Sequence, residues 1–151
     1  EYLEDLTPWY RTHVSPKFVA DRNQLMAILN QESSLMEIVK LIGSDVLPDS
    51  QKVTLEIARV IRVGFLQQNF FHDQDTYVSL EKQLKMMKVI LHLYEKSQAL
   101  VARQIPISKL LRLGLFDKLV KMKYDIPNDK LEMFDEYTAE IDQKIGELLR
   151  A

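Results

Sequence analysis

From Pro16 to the C-terminus the apolar residues of this chain recur mostly three and four positions apart, a spacing that fits helix faces better than strict alternation. Phe18, Val19, Leu25, Met26 and Leu29 are followed by Leu35, Met36, Ile38, Val39, Leu41 and Ile42, and then by Val53, Ile57, Val60, Ile61 and Leu66. A third run holds Leu80, Leu84, Met87, Ile90, Leu91 and Tyr94, and a last one Phe134, Tyr137, Ile141, Ile145 and Leu148. Such a period gives each of several helices an apolar side, so the expected fold class is all-α: a single bundle of six or seven helices. At 151 residues the chain has the size of one domain, and folding at that length removes roughly 70% of the unfolded chain's accessible surface from water.

Prolines, glycines and capping residues set the boundaries. Pro16 suits a first helical turn, where its missing N–H would be unpaired anyway, and Gly43 suits a stop. Between them Ser34 and Glu37 stand at capping-box spacing, which predicts a break near residues 31–34 and two helices in place of one. Pro48 is placed to open the next helix, and Ser79 to cap a long one running to about Arg103. Pro106, Gly114 and Pro127 divide the next stretch into two short helices, and Asn128 or Asp129 is expected to start the last. Residues 1–15, with Pro8, Trp9 and Tyr10, have the character of a connector packed on a neighbouring domain, leaving 16–151 as the helical domain. A start at Glu1 with no leader pattern is expected of a segment of a longer polypeptide.

Charge and residue usage exclude several chemistries. Twenty Lys plus Arg against 22 Asp plus Glu leave a net charge of −2, so the chain has no general attraction for nucleic acid or anionic lipid. No apolar run is long enough for membrane insertion. Without cysteine there is neither disulfide nor thiolate, which suits a cytoplasmic setting. The four glycines, Gly43, Gly64, Gly114 and Gly146, are scattered and form no phosphate cradle, and no serine sits in a nucleophile elbow. His72, Asp73 and Asp75 have the right chemistry for a divalent ion, but one imidazole among acidic neighbours is read as a solvated turn. His13 and His92 have no ligand partners nearby, so no metal site and no catalytic residue are expected. Lys82, Lys85, Lys88, His92 and Lys96 are neighbours on one helix and are read as a solvated face. Asp45 and Asp49 admit two readings: carboxylates favoured at a helix N-terminus, or a charged contact for a neighbouring protein.

The segment FLQQNFFHDQDTY, Phe65 to Tyr77, places Phe70 and Phe71 in an otherwise polar turn. Either both rings tuck into the core, or one offers a face to a planar ligand. The residues alone leave both open.

The ordered run SLMEIVKLIGSDVLPDSQKVTLEIARVIRVGFLQQNFFHDQDTYVSLEKQLKMMKVIL resembles the C-terminal helical domain of the catalytic A subunit of archaeal A-type and vacuolar V-type rotary ATPases. The resemblance extends from about Trp9 to Tyr94 and thins beyond it. It implies that the P-loop, catalytic glutamate and magnesium site lie upstream, in a nucleotide-binding domain that this chain does not contain. ATP or ADP with Mg would then be held by the parent subunit, the fragment alone being inactive. The resemblance further implies that Phe71, with Phe70, Gln68 and Asn69, lines the adenine pocket. The position of Phe70 is commonly alanine in that family, so either Phe70 packs inward while Phe71 faces the base or the two rings have exchanged roles.

LIGSDVLPDS is similar to the acidic loop that bears on the rotating stalk in the related F-type catalytic subunit, which makes Asp45, Val46, Leu47, Pro48, Asp49 and Ser50 the expected rotor contact. With only two carboxylates, a steric lever is expected there in place of a charged contact. The implied partners are the B subunits of an alternating A/B hexamer and the central stalk. The implied activity is ATP synthesis or hydrolysis coupled to proton or sodium transport, in a soluble head peripheral to the membrane. The alternative is a free-standing helical adaptor that holds a protein partner through its basic helix or acidic turn.

Overall fold

A computed structural model of the chain describes residues 16–67 and 78–151. Seven α-helices are present among them: α1 Pro16–Ile42, α2 Asp49–Arg59, α3 Leu80–Ala102, α4 Ile107–Leu111, α5 Leu115–Val120, α6 Met122–Asp125 and α7 Met133–Arg150. A short 3-10 turn, Ser44–Val46, joins α1 to α2, and α2 runs on without a break into a π-helical segment, Val60–Leu66. No strand occurs among the described residues, as the apolar period requires. The connector at 1–15 lies outside them.

Helix α3 is the axis of the bundle. It packs against α1, α2 and α7, and Met86, Met87, Ile90, Leu93 and Leu100 along it are essentially inaccessible to water. Each such side chain contributes about 1.5 to 3 kcal/mol of burial, so this one helix organises much of the core. Its start follows the sequence: the Ser79 side chain accepts the Lys82 N–H at 3.1 Å and so pairs one of the donors that every helix N-terminus leaves open.

Two boundaries differ from expectation. Helix α1 is continuous through residues 31–34, because Ser33 and Ser34 are exposed, the inward stripe Phe18, Leu25, Ile28, Leu35 keeps its period, and neither Gly nor Pro interrupts the interval. Serine costs only a few tenths of a kcal/mol more than alanine in a helix, too little to break one held along its length. Glu32, beside the expected break, makes a bidentate pair with Arg62 of the π segment, at 2.9 and 2.7 Å. Helix α7 starts at Met133, not at Asn128 or Asp129, because the Asn128 side chain is taken as an acceptor by Lys82 and the chain turns through Pro127–Lys130 first. Between Pro106 and Pro127 there are three short helices in place of two.

At Gly64 the backbone of α5 crosses the π segment so closely that a Cβ would stand 2.9 Å from Val120 Cα and 3.1 Å from the carbonyl oxygens of Leu119 and Val120. This crossing also explains why Leu66, expected inside, is exposed: Gly64 holds the inward position. Helix propensity alone would make Gly64→Ala stabilising by about 1 kcal/mol. All three obstacles are backbone atoms that cannot rotate away, so overpacking wins, at about 1 to 3 kcal/mol. Thermal denaturation of the Gly64→Ala variant is expected to show a lower Tm, by about 2 to 4 °C per kcal/mol at this size.

Candidate functional site

Two features stand out of this frame, and both continue elements that the core holds rigidly. The first is the far end of α1. A 27-residue helix is about 40 Å long, and its first two-thirds are pinned through Phe18, Val19, Leu25, Ile28 and Leu35. The last seven residues, about 10 Å, carry apolar side chains on too many sides for one stripe, and most of them face water. Leu41 is 84% exposed, Ile42 62% and, across the turn, Val46 57%. The sequence reading counted Leu41 and Ile42 among core-facing residues. The signal against it was present: Met36, Ile38, Val39 and Leu41 are spread around the whole circumference of a helix and cannot all point the same way.

Gly43 stops α1 with a φ of +87°, a backbone conformation open to glycine, and turns the chain into Ser44–Val46. The six residues expected as the rotor contact then divide. Asp45 and Val46 stand outward beside Leu41 and Ile42, while Leu47 is buried and anchors the turn from below. Asp49 is half-buried and its Oδ2 accepts the Ile107 N–H at 3.0 Å, and the Ser50 carbonyl accepts from Gln98 Nε2 at 2.9 Å. Asp49 therefore braces the start of α2 against α4, which leaves Asp45 as the outward carboxylate of the turn. Beside it, Glu37 and Lys40 form an exposed pair at 3.8 Å, worth little in water. The result is an apolar tip with little net charge on a stiff shaft.

The second feature is the framing of the segment between Gln67 and Val78. Gln68, Asn69, Phe70 and Phe71, expected around an adenine, lie outside the described residues, as do His72, Asp73 and Asp75. Their two flanks are described. Gln67 closes the π segment, its N–H donating to the Arg62 carbonyl at 2.9 Å, and its own carbonyl accepts from Lys123 Nζ at 3.0 Å. On the other flank Gln83 Nε2 donates to the Val78 carbonyl at 3.0 Å, directly before the Ser79 cap.

Lys82, expected on a solvated basic face, is instead 2% exposed. Its Nζ donates to the Lys123 carbonyl at 2.8 Å, the Ile126 carbonyl at 2.7 Å and Asn128 Oδ1 at 2.8 Å, which uses all three ammonium donors on neutral oxygens at the C-terminal end of α6. Burial, and after it the nearby charge of Lys123, pushes the Lys82 ammonium below its usual range. His92 is also engaged, with Asp142 of α7 at 2.6 Å, so the basic stripe is broken at two of its five positions. Sequence reasoning missed Lys82 because its acceptors lie 41 to 46 residues further along the chain. Among the described residues no group of three or more His, Asp or Glu side chains is arranged to hold a metal ion, and no helix is long and apolar enough to cross a membrane.

Known proteins give the same outline a family. Residues 7–111 match the family described as the C-terminal domain of V and A type ATP synthase. The V-type ATP synthase alpha chain of Halothermothrix orenii is 45% identical over 148 residues, 98% of this chain and 25% of that protein. The V-type ATP synthase alpha chain 2 of Clostridium tetani is 49% identical over 131 residues, 87% and 22% respectively. The A subunit of the A-type ATP synthase of Methanopyrus kandleri is 41% identical over 149 residues, again 98% and 25%. The similarity therefore runs well past Tyr94, where the sequence reading had it thin out. The chain spans about a quarter of the length of the curated relatives it matches. With the helical fold and this extent of similarity, the chain belongs to the family of C-terminal domains of the V- and A-type ATP synthase catalytic subunit.

Proposed function

We propose that this domain is the mechanical arm of a rotary ATPase catalytic subunit, taking nucleotide-driven motion at one end and delivering it to the central stalk at the other. The observation that carries this reading is the apolar tip. Large apolar side chains clustered at the end of a helix, and left in water, mark a surface that meets a partner. Their support is a helix fixed through the core, and close-packed cores move as units instead of deforming. With Asp49 turned to bracing α4, the contact with the rotor is steric and apolar, centred on Leu41, Ile42, Asp45 and Val46 over the buried Leu47. Pro48 and Ser50 support it from the start of α2.

At the other end Phe71 stacks on the adenine, with Phe70, Gln68 and Asn69 beside it, while a nucleotide-binding domain upstream of the connector at 1–15 holds the phosphates and Mg. The B subunits complete an alternating hexamer, and synthesis or hydrolysis of ATP is coupled to proton or sodium transport from a soluble head on the cytoplasmic face of the membrane. This division of labour makes the isolated 151-residue chain silent. In an ATPase assay the purified domain is expected to show no turnover above a matched control; turnover that follows the domain through purification would refute the division.

A further inference from the structure

We propose that Glu32 and Arg62 are positioning residues for the lever: they form a crossbar that fixes α1 against the π segment and so sets where the apolar tip stands. This inference rests on the reading that the tip bears on the central stalk, and names the residues that hold its shaft.

The geometry is that of a braced hairpin. Helix α1 runs out to the turn at residues 43–48, and α2 with its π continuation runs back from it, so the tip is the apex. Leu35 is the last buried residue of α1, and around it the two legs do not close on one another. Gln31 and Ser34 of α1 face Gln51 and Thr54 of α2 across an open cleft of about 460 Å³, with Gln98 of α3 completing its wall. Packing between the legs near the apex is therefore incomplete.

The crossbar fixes their separation. Arg62 Nε donates to Glu32 Oε1 at 2.9 Å and Nη2 to Oε2 at 2.7 Å, a two-pronged contact that sets orientation as well as distance. Among the described residues it is the one hydrogen-bonded or ionic side-chain link from residues 24–42 to another element. The backbones of α1 and the π segment scarcely approach one another, so these two side chains span the gap. Their anchored end is firm. The Arg62 carbonyl accepts the Gln67 N–H at 2.9 Å, and Gly64, two residues on, lies against the backbone of α5.

The residue types fit positioning better than stability. Arg62 is 49% exposed, and an ion pair with so open a partner adds little to folding. Glu32 is only 14% exposed, so salt screens the contact much less than a fully open pair. A lysine at position 62 would supply a point charge, whereas the planar guanidinium holds the carboxylate in one orientation. The contact lies within one turn of Leu35, where the buried part of α1 ends, so a tilt of the shaft there is carried over about 10 Å to the tip.

The test measures single-molecule stall torque and steady-state KM for ATP on the assembled ATPase containing the full-length catalytic chain. Arg62→Met is expected to assemble, to keep KM for ATP, and to lose stall torque; Arg62→Lys is expected to fall between it and the unmodified enzyme. Arg59→Met is the control, because it breaks the pairs with Glu56 and Asp117 on the same rod without touching α1, and is expected to keep torque. Unchanged torque in Arg62→Met, or an equal loss in Arg59→Met, would overturn the proposal. If Arg62→Met fails to assemble, Glu32→Gln, which keeps the shape and removes the charge, decides by the same readouts. The serine variant of Leu41, Ile42 and Val46 separates the two levels. If it lowers torque and Arg62→Met does not, the crossbar falls while the lever stands; if neither lowers torque, both fall.

Discussion

Phe71→Ala in the complete ATPase is expected to raise KM for ATP by about fivefold to a hundredfold while leaving the thermal stability of the domain nearly unchanged. The size follows from base-on-aromatic stacking, worth about 1 to 3 kcal/mol per base, at about 1.4 kcal/mol for each factor of ten. A core role for the same ring predicts the opposite signature, since Phe→Ala in a core costs about 3 to 5 kcal/mol of stability and would lower Tm sharply. Phe70→Ala is the internal comparison. The smaller KM effect belongs to Phe70 if Phe71 faces the base, and the order reverses if the rings have exchanged roles. Steady-state kinetics and a thermal melt of the three enzymes separate these cases.

The second large effect is expected at the tip. Replacing Leu41, Ile42 and Val46 together by serine removes three exposed apolar side chains from the end of α1 and its turn. Because they touch little within the domain, its stability should change by only a few tenths of a kcal/mol per site, as for other surface substitutions. Against a partner the balance is different: each side chain that is fully buried on contact contributes about 1.5 to 3 kcal/mol. The variant is therefore expected to fold and assemble, to bind nucleotide normally, and to turn over ATP with weakened mechanical coupling. Circular dichroism and pull-down of the hexamer check the first part. Asp45→Asn, which removes the outward carboxylate of the turn and keeps its shape, is expected to leave coupling intact. Shortening Asp45–Ser50 is a less clean experiment, because Leu47 is part of the packing and Asp49 holds Ile107.

The all-α class, the cap at Ser79, the stops at Gly43 and Pro106 and the inward faces of α3 and α7 were legible because each depends on residues within a turn or two of one another. The Phe134, Tyr137, Ile141, Ile145 stripe is buried as its spacing requires. The features that were not legible depend on residues brought together from far apart. The capping-box pattern at Ser34 and Glu37 loses to tertiary support from Arg62, 30 residues from Glu32. Lys82 looks like surface until α6 supplies its acceptors, and Asn128 looks like a helix cap until Lys82 engages it. Leu41 and Ile42 are the exception, since the spread of apolar residues around the end of α1 already argued against a core there; they end in water because the helix outruns the body that would cover them. At the candidate site the pattern is the same: the expected rotor turn carried no sign of its division into an outward Asp45–Val46 and an inward Leu47 and Asp49.

The most direct measurement of the lever is single-molecule stall torque on the assembled complex carrying Leu41→Ser, Ile42→Ser and Val46→Ser, compared at low and high salt with the unmodified enzyme. A steric, apolar contact predicts a marked fall in torque at unchanged nucleotide affinity, with little dependence on salt in either enzyme. Torque equal to that of the unmodified enzyme, or a torque that salt rather than the apolar tip controls, would contradict it.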